Sequence, residues 1–274
     1  MIEEKTGKAI KLLKSIKADE IELCFSGGKD SAVILELARM ADIPIRPIYK
    51  QTTIDPAGTI KYCRENGVEI HKPKVTFFDL IKQRGFPTRR CRFCCDELKE
   101  YKILDNAIQG IRRSESAKRK ERYKEPVICR IYGNNKDKHV NVFLPILEWK
   151  DADIKEFVEL RKLKLHPLYY NDEGEFEVKR RLGCLCCPLQ SDKGLADFKC
   201  QPCFVKKWIK SGMEWWNKPH RTFNTGKRFN NVYELFAHNI FFSSYESFDV
   251  ARNGFFGKID FKERLENYFN IKFD

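Results

Sequence analysis

The 274-residue sequence has no long hydrophobic run. No stretch approaches the roughly 18 apolar residues that a membrane-spanning helix requires. The chain begins MIEEKTGKAIKLLKSIKADE, a charged and interrupted segment without the apolar core of a secretory signal. We therefore expect a surface helix at this position, no membrane partner and a cytoplasmic protein.

Acidic residues are too few to balance the basic ones. The chain has 52 Lys and Arg against 39 Asp and Glu, which gives a formal net charge of +13. An excess of this size favours polyanionic partners, either nucleotides or a nucleic acid such as tRNA or DNA. A solvated basic surface is the alternative, and composition does not decide between the two.

The chain has 11 cysteines, so they cannot all be paired in disulfides within one chain. With no export signal expected, this odd number argues against a disulfide framework and for metal or redox chemistry. Cys24, Cys63 and Cys129 stand alone in apolar or mixed segments, where we expect buried packing residues. The other eight form three groups: Cys91/Cys94/Cys95, Cys184/Cys186/Cys187 and Cys200/Cys203.

Strand and helix patterns alternate through the first half of the chain. Short apolar runs predict strands, and helical spacing predicts the helices between them. The predicted strands are Ile21–Phe25, Ile43–Tyr49, Val68–Pro73 and Asn106–Arg112; the predicted helices are Ser31–Met40, Pro56–Asn66, Thr76–Gly85 and Cys94–Leu104. This alternation predicts an α/β fold, with a Rossmann-like, doubly wound, mainly parallel sheet and helices on both faces.

The second half of the chain has a different character. Arg113–Asn141 is polar and charged, and GNNKDKH within it indicates a loop. After Leu195 the chain is helical and rich in aromatics, and we expect Trp208, Trp215 and Trp216 to be core residues. We place a domain boundary near residue 190, with a nucleotide-binding domain over 1–190 and a C-terminal helical region over 191–274.

The segment Ser26–Ser31, SGGKDS, lies between the first predicted strand and the first predicted helix. Adjacent glycines allow close approach of the backbone and positive φ, and a helix N-terminus attracts anions. The segment is not a Walker A motif, which needs a longer glycine spacing. Because ligands bind beyond the carboxyl ends of parallel strands, it predicts a phosphate site. An ordinary strand-to-helix turn is the alternative.

SGGKDS resembles the pyrophosphate loop of the N-type ATP pyrophosphatases, the PP-loop or adenine nucleotide alpha hydrolase-like superfamily, and of the phosphoadenylylsulfate (PAPS) reductase family. Later segments resemble signatures of the second family, and they occur in family order over about residues 20–190. They are TTIDPAGTIKYCREN (Thr52–Asn66), CCDELK (Cys94–Lys99), GIRRSESAKR (Gly110–Arg119), PILEWKDADI (Pro145–Ile154) and GCLCCP (Gly183–Pro188).

The resemblance implies a site for an adenine nucleotide, which is ATP, adenylylsulfate (APS) or PAPS. It implies that phosphate or sulfate oxygens are held by the loop residues Ser26, Gly27, Gly28, Lys29, Asp30 and Ser31. It places Thr53, Asp55 and Gly110 near the nucleotide and Glu115 beside an arginine or Mg²⁺. Arg112 and Arg119 would reach the anionic end, and the residues expected to act in catalysis are Lys29, Asp30, Arg112 and Arg119.

Two cysteine tetrads compete for a metal. The resemblance implies a [4Fe–4S] cluster on Cys94, Cys95, Cys184 and Cys187, and thiolates are the ligands of such clusters. Spacing alone favours a structural zinc ion on Cys184, Cys187, Cys200 and Cys203, which read C-x₂-C-x₁₂-C-x₂-C. We favour the first set, since the second leaves the adjacent Cys94 and Cys95 without a role.

Three functions are compatible with these patterns. The first is a PAPS reductase-like oxidoreductase that reduces APS or PAPS with electrons from a thioredoxin-type reductant. The second is an ATP pyrophosphatase that adenylates a substrate and inserts sulfur from a donor, as in DNA phosphorothioation or tRNA thiolation. The third is a non-catalytic nucleotide or nucleic-acid binding module. The family's reductases carry a nucleophilic cysteine near the C-terminus, and no cysteine follows Cys203 here.

Overall fold

The computed structural model describes residues 2–132, 139–219, 223–254 and 259–273. Six strands within these ranges form one sheet, in the spatial order β3-β2-β1-β4-β6-β5. All neighbouring strands run parallel except β5 and β6, which are antiparallel. The strands are β1 Ile21–Cys24, β2 Ile45–Lys50, β3 Glu69–His71, β4 Asn106–Ile108, β5 Val127–Ile131 and β6 His139–Phe143.

β1 lies in the middle of this sheet. Leu23 is opposite Pro47 of β2 on one side and Ile108 of β4 on the other. Glu22 is also buried, and its carboxylate forms an ion pair with Lys50 of β2 at 2.8 Å. The chain leaves β1 towards β2 and β3, whereas β4 pairs on the opposite edge of β1. The strand order therefore reverses between β1 and β4.

Helices lie before, between and after the strands along the described part of the chain. Their bounds are α1 Ile2–Lys14, α2 Lys29–Ala41, α3 Thr59–Glu65, α4 Phe77–Arg84, α5 Phe93–Leu98, α6 Ala117–Arg122, α7 Asp151–Leu160, α8 Leu195–Cys200, α9 Pro202–Trp216, α10 Phe223–Arg228, α11 Val232–Phe241, α12 Tyr245–Arg252 and α13 Phe261–Phe269. Two short 3₁₀ turns occur at Arg113–Glu115 and Pro167–Tyr169. The structure is the expected Rossmann-like α/β fold, with a helical C-terminal region.

Contacts divide the chain into two compact units. One unit contains residues 1–73 and 95–183 and includes the sheet; the other contains residues 74–94 and 184–274. The domain boundary near residue 190 remains a prediction, because compactness alone does not show where a chain folds independently.

The core of the first unit is aliphatic. α1, α2 and α7 contact one another, and their apolar faces bury Leu13, Leu37 and Phe157. A separate cluster covers β4 and β6 and contains Ala107, Val140 and Val142. These two cores pack against β1 and β4, which are parallel neighbours, so the segments that follow the two strands begin next to each other.

The core of the second unit is aromatic. Trp208 of α9 is buried, as expected, and its ring lies against those of Phe77, Phe86 and Phe198. Gly212 allows α9 to lie close to the Phe86 ring, since a Cβ at this position would be only 2.3 Å from Phe86 Cζ. Trp215 and Trp216 are half-buried.

Several local expectations need correction. The helix predicted over Cys94–Leu104 ends at Leu98, and the polar segment Arg113–Asn141 contains β5 and the start of β6. Cys129 was expected to be buried but is exposed on β5, with its Sγ 3.4 Å from His139 Nδ1. All but the last residue of the predicted GNNKDKH loop falls outside the described residues. Within those residues, no helix has the length and apolarity to cross a bilayer.

Candidate nucleotide site

The SGGKDS segment follows β1 at the point where the strand order reverses. Phe25 N–H donates to Ile48 O of β2 at 2.9 Å, so the sheet continues to the edge of the segment. The Gly110–Arg119 segment follows β4, which pairs directly with β1. In doubly wound sheets the crevice at such a reversal, beyond the carboxyl ends of the strands, is where ligands bind.

Hydrogen bonds within the loop fix its shape. Gly27 has φ +76°, which a non-glycine residue rarely adopts, and a Cβ there would lie 3.0 Å from Leu182 Cδ2. Gly28 N–H donates to Ser26 Oγ at 3.3 Å, and Ser31 Oγ donates to Gly28 O at 2.8 Å. α2 begins at the next residue, Lys29, so its positive end faces the same crevice.

The side chain of Lys29, the fourth residue of the loop, is buried. Its Nζ is 3.4 Å from Arg180 O, 3.7 Å from Asp30 Oδ2 and 5.6 Å from the centre of the Tyr169 ring. Burial lowers the pKa of Lys29, and the Asp30 carboxylate opposes that effect. A lysine in this position adds positive charge to the crevice without extending into solvent.

Arg112 is the most deeply buried charged side chain of the site, with 2% of its surface exposed. Its Nε lies 2.7 Å from Asp30 Oδ1, and one terminal nitrogen lies 2.9 Å from Asp151 Oδ1. The other terminal nitrogen donates to Ser114 Oγ at 3.2 Å. Arg112 thus ties the first turn of α2 to α7, and it is not among the residues that line the cavity described below.

Glu115 holds Arg119. The Glu115 carboxylate accepts a hydrogen bond from the Arg119 guanidinium and lies 3.4 Å from Arg112 N. Burial lowers the pKa of Arg119, and the nearby cations Arg181 and Arg112 contribute to the decrease. Glu115 is therefore placed to orient Arg119, which faces the crevice, and it belongs to the segment that follows β4.

Gly110 lies against the start of α2. A Cβ at this position would lie 2.9 Å from Asp30 O and 3.0 Å from Asp30 C, which are backbone atoms. Only a residue without a side chain permits this approach, so Gly110 sets the width of the crevice between the two segments.

The crevice contains a cavity of about 230 Å³, which we call the switch-point cavity. It brings together most of the residues predicted for the nucleotide. Its lining is Cys24, Ser26, Gly28, Lys29, Asp30, Ser31, Gly110, Glu115, Arg119, Tyr169, Arg181 and Leu182. Sequence reasoning missed Tyr169, Arg181 and Leu182 as site residues; the basic Lys179-Arg180-Arg181 run was the one available signal.

Thr53 and Asp55 do not line the switch-point cavity. Asp55 instead holds the turn after β2, where its carboxylate accepts from Thr52 N at 2.9 Å, Thr53 N at 3.2 Å and Thr52 Oγ1 at 2.6 Å. Thr53 has φ +65°, which this turn stabilises. Because β1 and β2 are parallel neighbours, the turn lies at the same edge of the sheet as the loop.

Cys24 is the one cysteine among the residues lining the switch-point cavity. Its Sγ is 3.7 Å from Glu22 Oε1 and 3.7 Å from Gln109 Nε2. Burial, with the neighbouring Glu22 carboxylate, raises the pKa of Cys24 to about 12. The thiol is therefore neutral near pH 7 and is a poor nucleophile there.

The cysteines of the second unit differ in exposure. Cys186 is buried, its N–H donates to Asp197 Oδ2 at 2.7 Å, and burial raises the pKa of its thiol. Cys184 and Cys187 on either side of it are half-buried, as is Cys94. Cys186 is thus a packing residue of this turn, whereas the two flanking cysteines are more accessible.

Arg89 holds the turn that carries these cysteines. Its guanidinium donates to three backbone carbonyls, at 3.1 Å to Pro188 O, 2.7 Å to Gln190 O and 3.0 Å to Ser191 O. Cys91, Cys200 and Cys203 are exposed. Within the part of the chain that the structure describes, no three His, Cys, Asp or Glu side chains are grouped as a metal site. Both predicted tetrads therefore stay predictions.

Comparison with known protein families supports the resemblance found in the sequence. Residues 20–190 match the phosphoadenosine phosphosulfate reductase domain family. An uncharacterised protein of Methanocaldococcus jannaschii is 29% identical over 204 residues, which cover 69% of this chain and 46% of that protein. Sulfate adenylyltransferase subunit 2 of Saccharophagus degradans is 26% identical over 206 residues, which cover 60% of this chain and 65% of the subunit. The chain therefore spans less than two thirds of either relative.

Solved structures with a similar fold are more distant. PAPS reductase from Candida auris has 15% identity and a TM-score of 0.45, covering 67% of this chain and 93% of that one. The U34-tRNA thiolase of Methanococcus maripaludis, whose structure includes its [4Fe–4S] cluster, has 17% identity and a TM-score of 0.42, covering 78% of each chain. Likenesses at this level carry no conclusion about activity.

Proposed function

Because the chain belongs to the phosphoadenosine phosphosulfate reductase domain family, we propose that the switch-point cavity binds the phosphate groups of an adenine nucleotide and that the protein transfers the adenylyl group of ATP. In this reaction an oxyanion of the acceptor attacks the α-phosphorus, the bond to the bridging oxygen breaks, and pyrophosphate leaves. The observation that carries the proposal is the cationic lining of the cavity: Lys29, Arg119 and Arg181 beside the N-terminus of α2.

The residues of the cavity suit this reaction. Pyrophosphate leaves with the negative charge of the broken bond, and preorganised cations stabilise charge that develops in the transition state. Lys29 is held by its buried surroundings and Arg119 by Glu115, so neither needs to reorganise when the nucleotide binds. Arg112 acts as a positioning residue through Asp30. Mg²⁺ is the expected counterion of the nucleotide and would supply further charge neutralisation.

The state of Cys24 favours adenylyl transfer over sulfonucleotide reduction. Reduction through a protein thiol needs a thiolate at the sulfur of the bound nucleotide. The cysteine that lines the cavity is neutral near pH 7, because its pKa is raised to about 12. The similarity to sulfate adenylyltransferase subunit 2 points in the same direction.

Product analysis with purified protein tests the proposal. ATP is supplied with sulfate in one set of reactions and with tRNA or DNA in another, and pyrophosphate release is measured. APS and PAPS are supplied with reduced thioredoxin in a third set, and sulfite is measured. We expect pyrophosphate and no sulfite. Sulfite without pyrophosphate would replace the proposal with reduction, and nucleotide binding without either product would leave a binding module.

Lys29→Ala and Lys17→Ala form a matched pair for this assay. Both changes remove one lysine, but Lys29 lies in the cavity whereas Lys17 is exposed and outside it. We expect Lys29→Ala to lower the rate of pyrophosphate release by about 100-fold, as removal of a single preorganised charge does in other enzymes. Lys17→Ala should keep the full rate. Equal rates for the two variants would contradict the placement of the reaction in this cavity.

We also propose that Cys94, Cys95, Cys184 and Cys187 hold a [4Fe–4S] cluster, which would supply an iron site for sulfur transfer. The family resemblance supports this set, and so does the partial exposure of Cys184 and Cys187 on either side of the buried Cys186. Anaerobic purification with iron, sulfide and zinc analysis tests it. Iron lost in Cys94→Ala and kept in Cys200→Ala supports the cluster. Bound zinc lost in Cys200→Ala and kept in Cys94→Ala supports the zinc set.

A further inference from the structure

A second and larger cavity lies within the second compact unit, and the nucleotide proposal does not use it. Its volume is about 580 Å³, within the usual range for small-molecule sites. The walls come from α9, α11, residues 86–90, the turn that carries Cys186, and residues 242–246. We call it the aromatic cavity, because Trp208, Phe236, Phe242 and Tyr245 are among its lining residues.

Positive charge dominates the lining of the aromatic cavity. Four basic residues line the cavity: Arg89, Arg90, Lys193 and Arg228. Glu246 is the one acidic residue of the lining. The Arg89 guanidinium is engaged by three carbonyls and is therefore structural. Arg90 and Arg228 are exposed at the rim, where they can meet an anion.

Two buried ring nitrogens in the same lining have no partner among the described residues. Trp208 is 2% exposed, and its Nε1–H makes no hydrogen bond. His238 Nε2 is likewise buried without a partner, whereas His238 Nδ1 lies 3.2 Å from Asn239 Oδ1. Burial lowers the pKa of His238, so the ring is neutral near pH 7. If Nδ1 donates to the Asn239 carbonyl oxygen, then Nε2 is an acceptor.

The lining thus combines an unused donor, an unused acceptor, aromatic surfaces and a cationic rim. Buried polar groups in folded proteins are nearly always paired, so two unpaired groups beside one cavity indicate a polar ligand. An inorganic anion would use the rim alone, and an apolar molecule would leave both nitrogens unpaired. A nucleobase has donors and acceptors along its edge and two faces that stack on aromatic rings, and its phosphate supplies the anion.

We infer that the aromatic cavity binds a nucleotide, with the base among the rings next to Trp208 and His238 and the phosphate at Arg90 and Arg228. The nucleotide is either free or an unpaired residue of a single strand, since the recognition chemistry is the same. The inference concerns the second unit alone and does not depend on adenylyl transfer at the switch-point cavity.

Binding measurements on the full chain test the inference. The wild type and Lys29→Ala are used in parallel, because binding at the SGGKDS loop should weaken in Lys29→Ala, whereas binding at the aromatic cavity should not. The four 5′-mononucleotides and a labelled single-stranded RNA of mixed sequence are then titrated, with inorganic phosphate as a competitor. Binding of mononucleotides indicates the free form, and binding of the RNA alone indicates an unpaired nucleotide in a strand. Both results support the inference, and binding of neither overturns it.

Three variants locate the bound nucleotide. Trp208→Phe keeps an aromatic ring but removes the Nε1–H, and His238→Leu removes the acceptor. Each should weaken binding about tenfold, the usual effect of losing one hydrogen bond to a ligand. Arg90→Ala should weaken binding and reduce its dependence on salt. Arg264→Ala is the control, since Arg264 is an exposed arginine of α13 outside the lining, and it should bind as the wild type does.

Some outcomes would overturn the inference. If the ring variants and Arg90→Ala all bind as the wild type does, the nucleotide is bound elsewhere. If phosphate displaces the probes completely and only Arg90→Ala has an effect, the cavity is an anion site without base recognition. Thermal unfolding confirms that each variant is folded. If Trp208→Phe does not fold, His238→Leu and Arg90→Ala decide the question.

Discussion

Gly110 offers a sharp test of how the switch-point cavity is built. In the structure its α-carbon lies so close to the start of α2 that an added Cβ would be 2.9 Å from Asp30 O and 3.0 Å from Asp30 C. Both atoms belong to the backbone, so no side chain can rotate to relieve the clash. Gly110→Ala must therefore move the segment after β4 away from α2, and that movement also strains the 2.7 Å ion pair between Arg112 and Asp30.

The expected effect of Gly110→Ala follows from this geometry. Overpacking of this kind costs about 1–3 kcal/mol in the free energy of unfolding. For a chain of this size, such a loss lowers the melting temperature by about 2–12 °C. Because the cavity widens, we also expect a weaker affinity for ATP, by at least about tenfold if the loss of alignment equals one hydrogen bond.

Gly7→Ala is the matched control. Gly7 lies within α1, and a Cβ there would meet no atom within 4 Å. Alanine is favoured over glycine in a helix by about 1 kcal/mol, so this variant should melt slightly higher and bind ATP unchanged. Thermal unfolding followed by circular dichroism and ATP titration by calorimetry measure both effects. A Gly110→Ala protein with wild-type stability and affinity would refute the close approach of the two segments.

Three further predictions concern charge and thiols. Arg112→Gln should lower the free energy of unfolding by about 3 kcal/mol, the lower end of the usual cost of breaking a buried ion pair, because it removes the cation that pairs with Asp30 and Asp151 while Lys29 stays beside Asp30. Urea denaturation measures this loss, and a value below about 1 kcal/mol would show that the pair is not buried as described. The affinity for ATP, measured by calorimetry over a pH series, should fall as the pH rises towards the lowered pKa of Lys29, because the amine then loses the charge that attracts phosphate. An affinity that stays constant in the alkaline range would contradict this role of Lys29. Iodoacetamide, which reacts with thiolates, should label the exposed Cys91, Cys200 and Cys203 of the native protein well before the half-buried Cys24, whose pKa is about 12. Early labelling of Cys24 in peptide mass spectra would be inconsistent with that raised pKa.

The sheet and its phosphate loop were within reach of the sequence because their signals are local. Apolar runs bounded by turn residues marked β1, β2 and β3 to within a few residues, and Gly85 ended α4 as expected. The alternation of strands and helices predicted the mainly parallel α/β sheet, although it did not indicate which strands are neighbours. These features depend on residues close together in the chain.

Features that depend on distant contacts were not predictable in the same way. A local contact can also be missed: Asp55 has the pattern of a nucleotide contact, yet its carboxylate accepts hydrogen bonds from the nearby Thr52 and Thr53 amides. β5 and β6 are short and polar on one face, so periodicity did not separate them from a loop. Tyr169 and Leu182 reach the cavity only because the chain returns to α2 about 140 residues later, which no local pattern reveals.

The position of β1 at the centre of the sheet has a consequence for folding. β1 is among the earliest elements of the chain, but its neighbour β4 follows it by more than 80 residues, and the wall formed by Arg181 and Leu182 comes later still. Contacts of such long range close slowly, because the entropy of the intervening chain must be lost first. During synthesis the loop therefore emerges long before the crevice can form. A nascent chain that stops before residue 180 should have the phosphate loop but no closed site, so nucleotide binding marks the completion of the first unit.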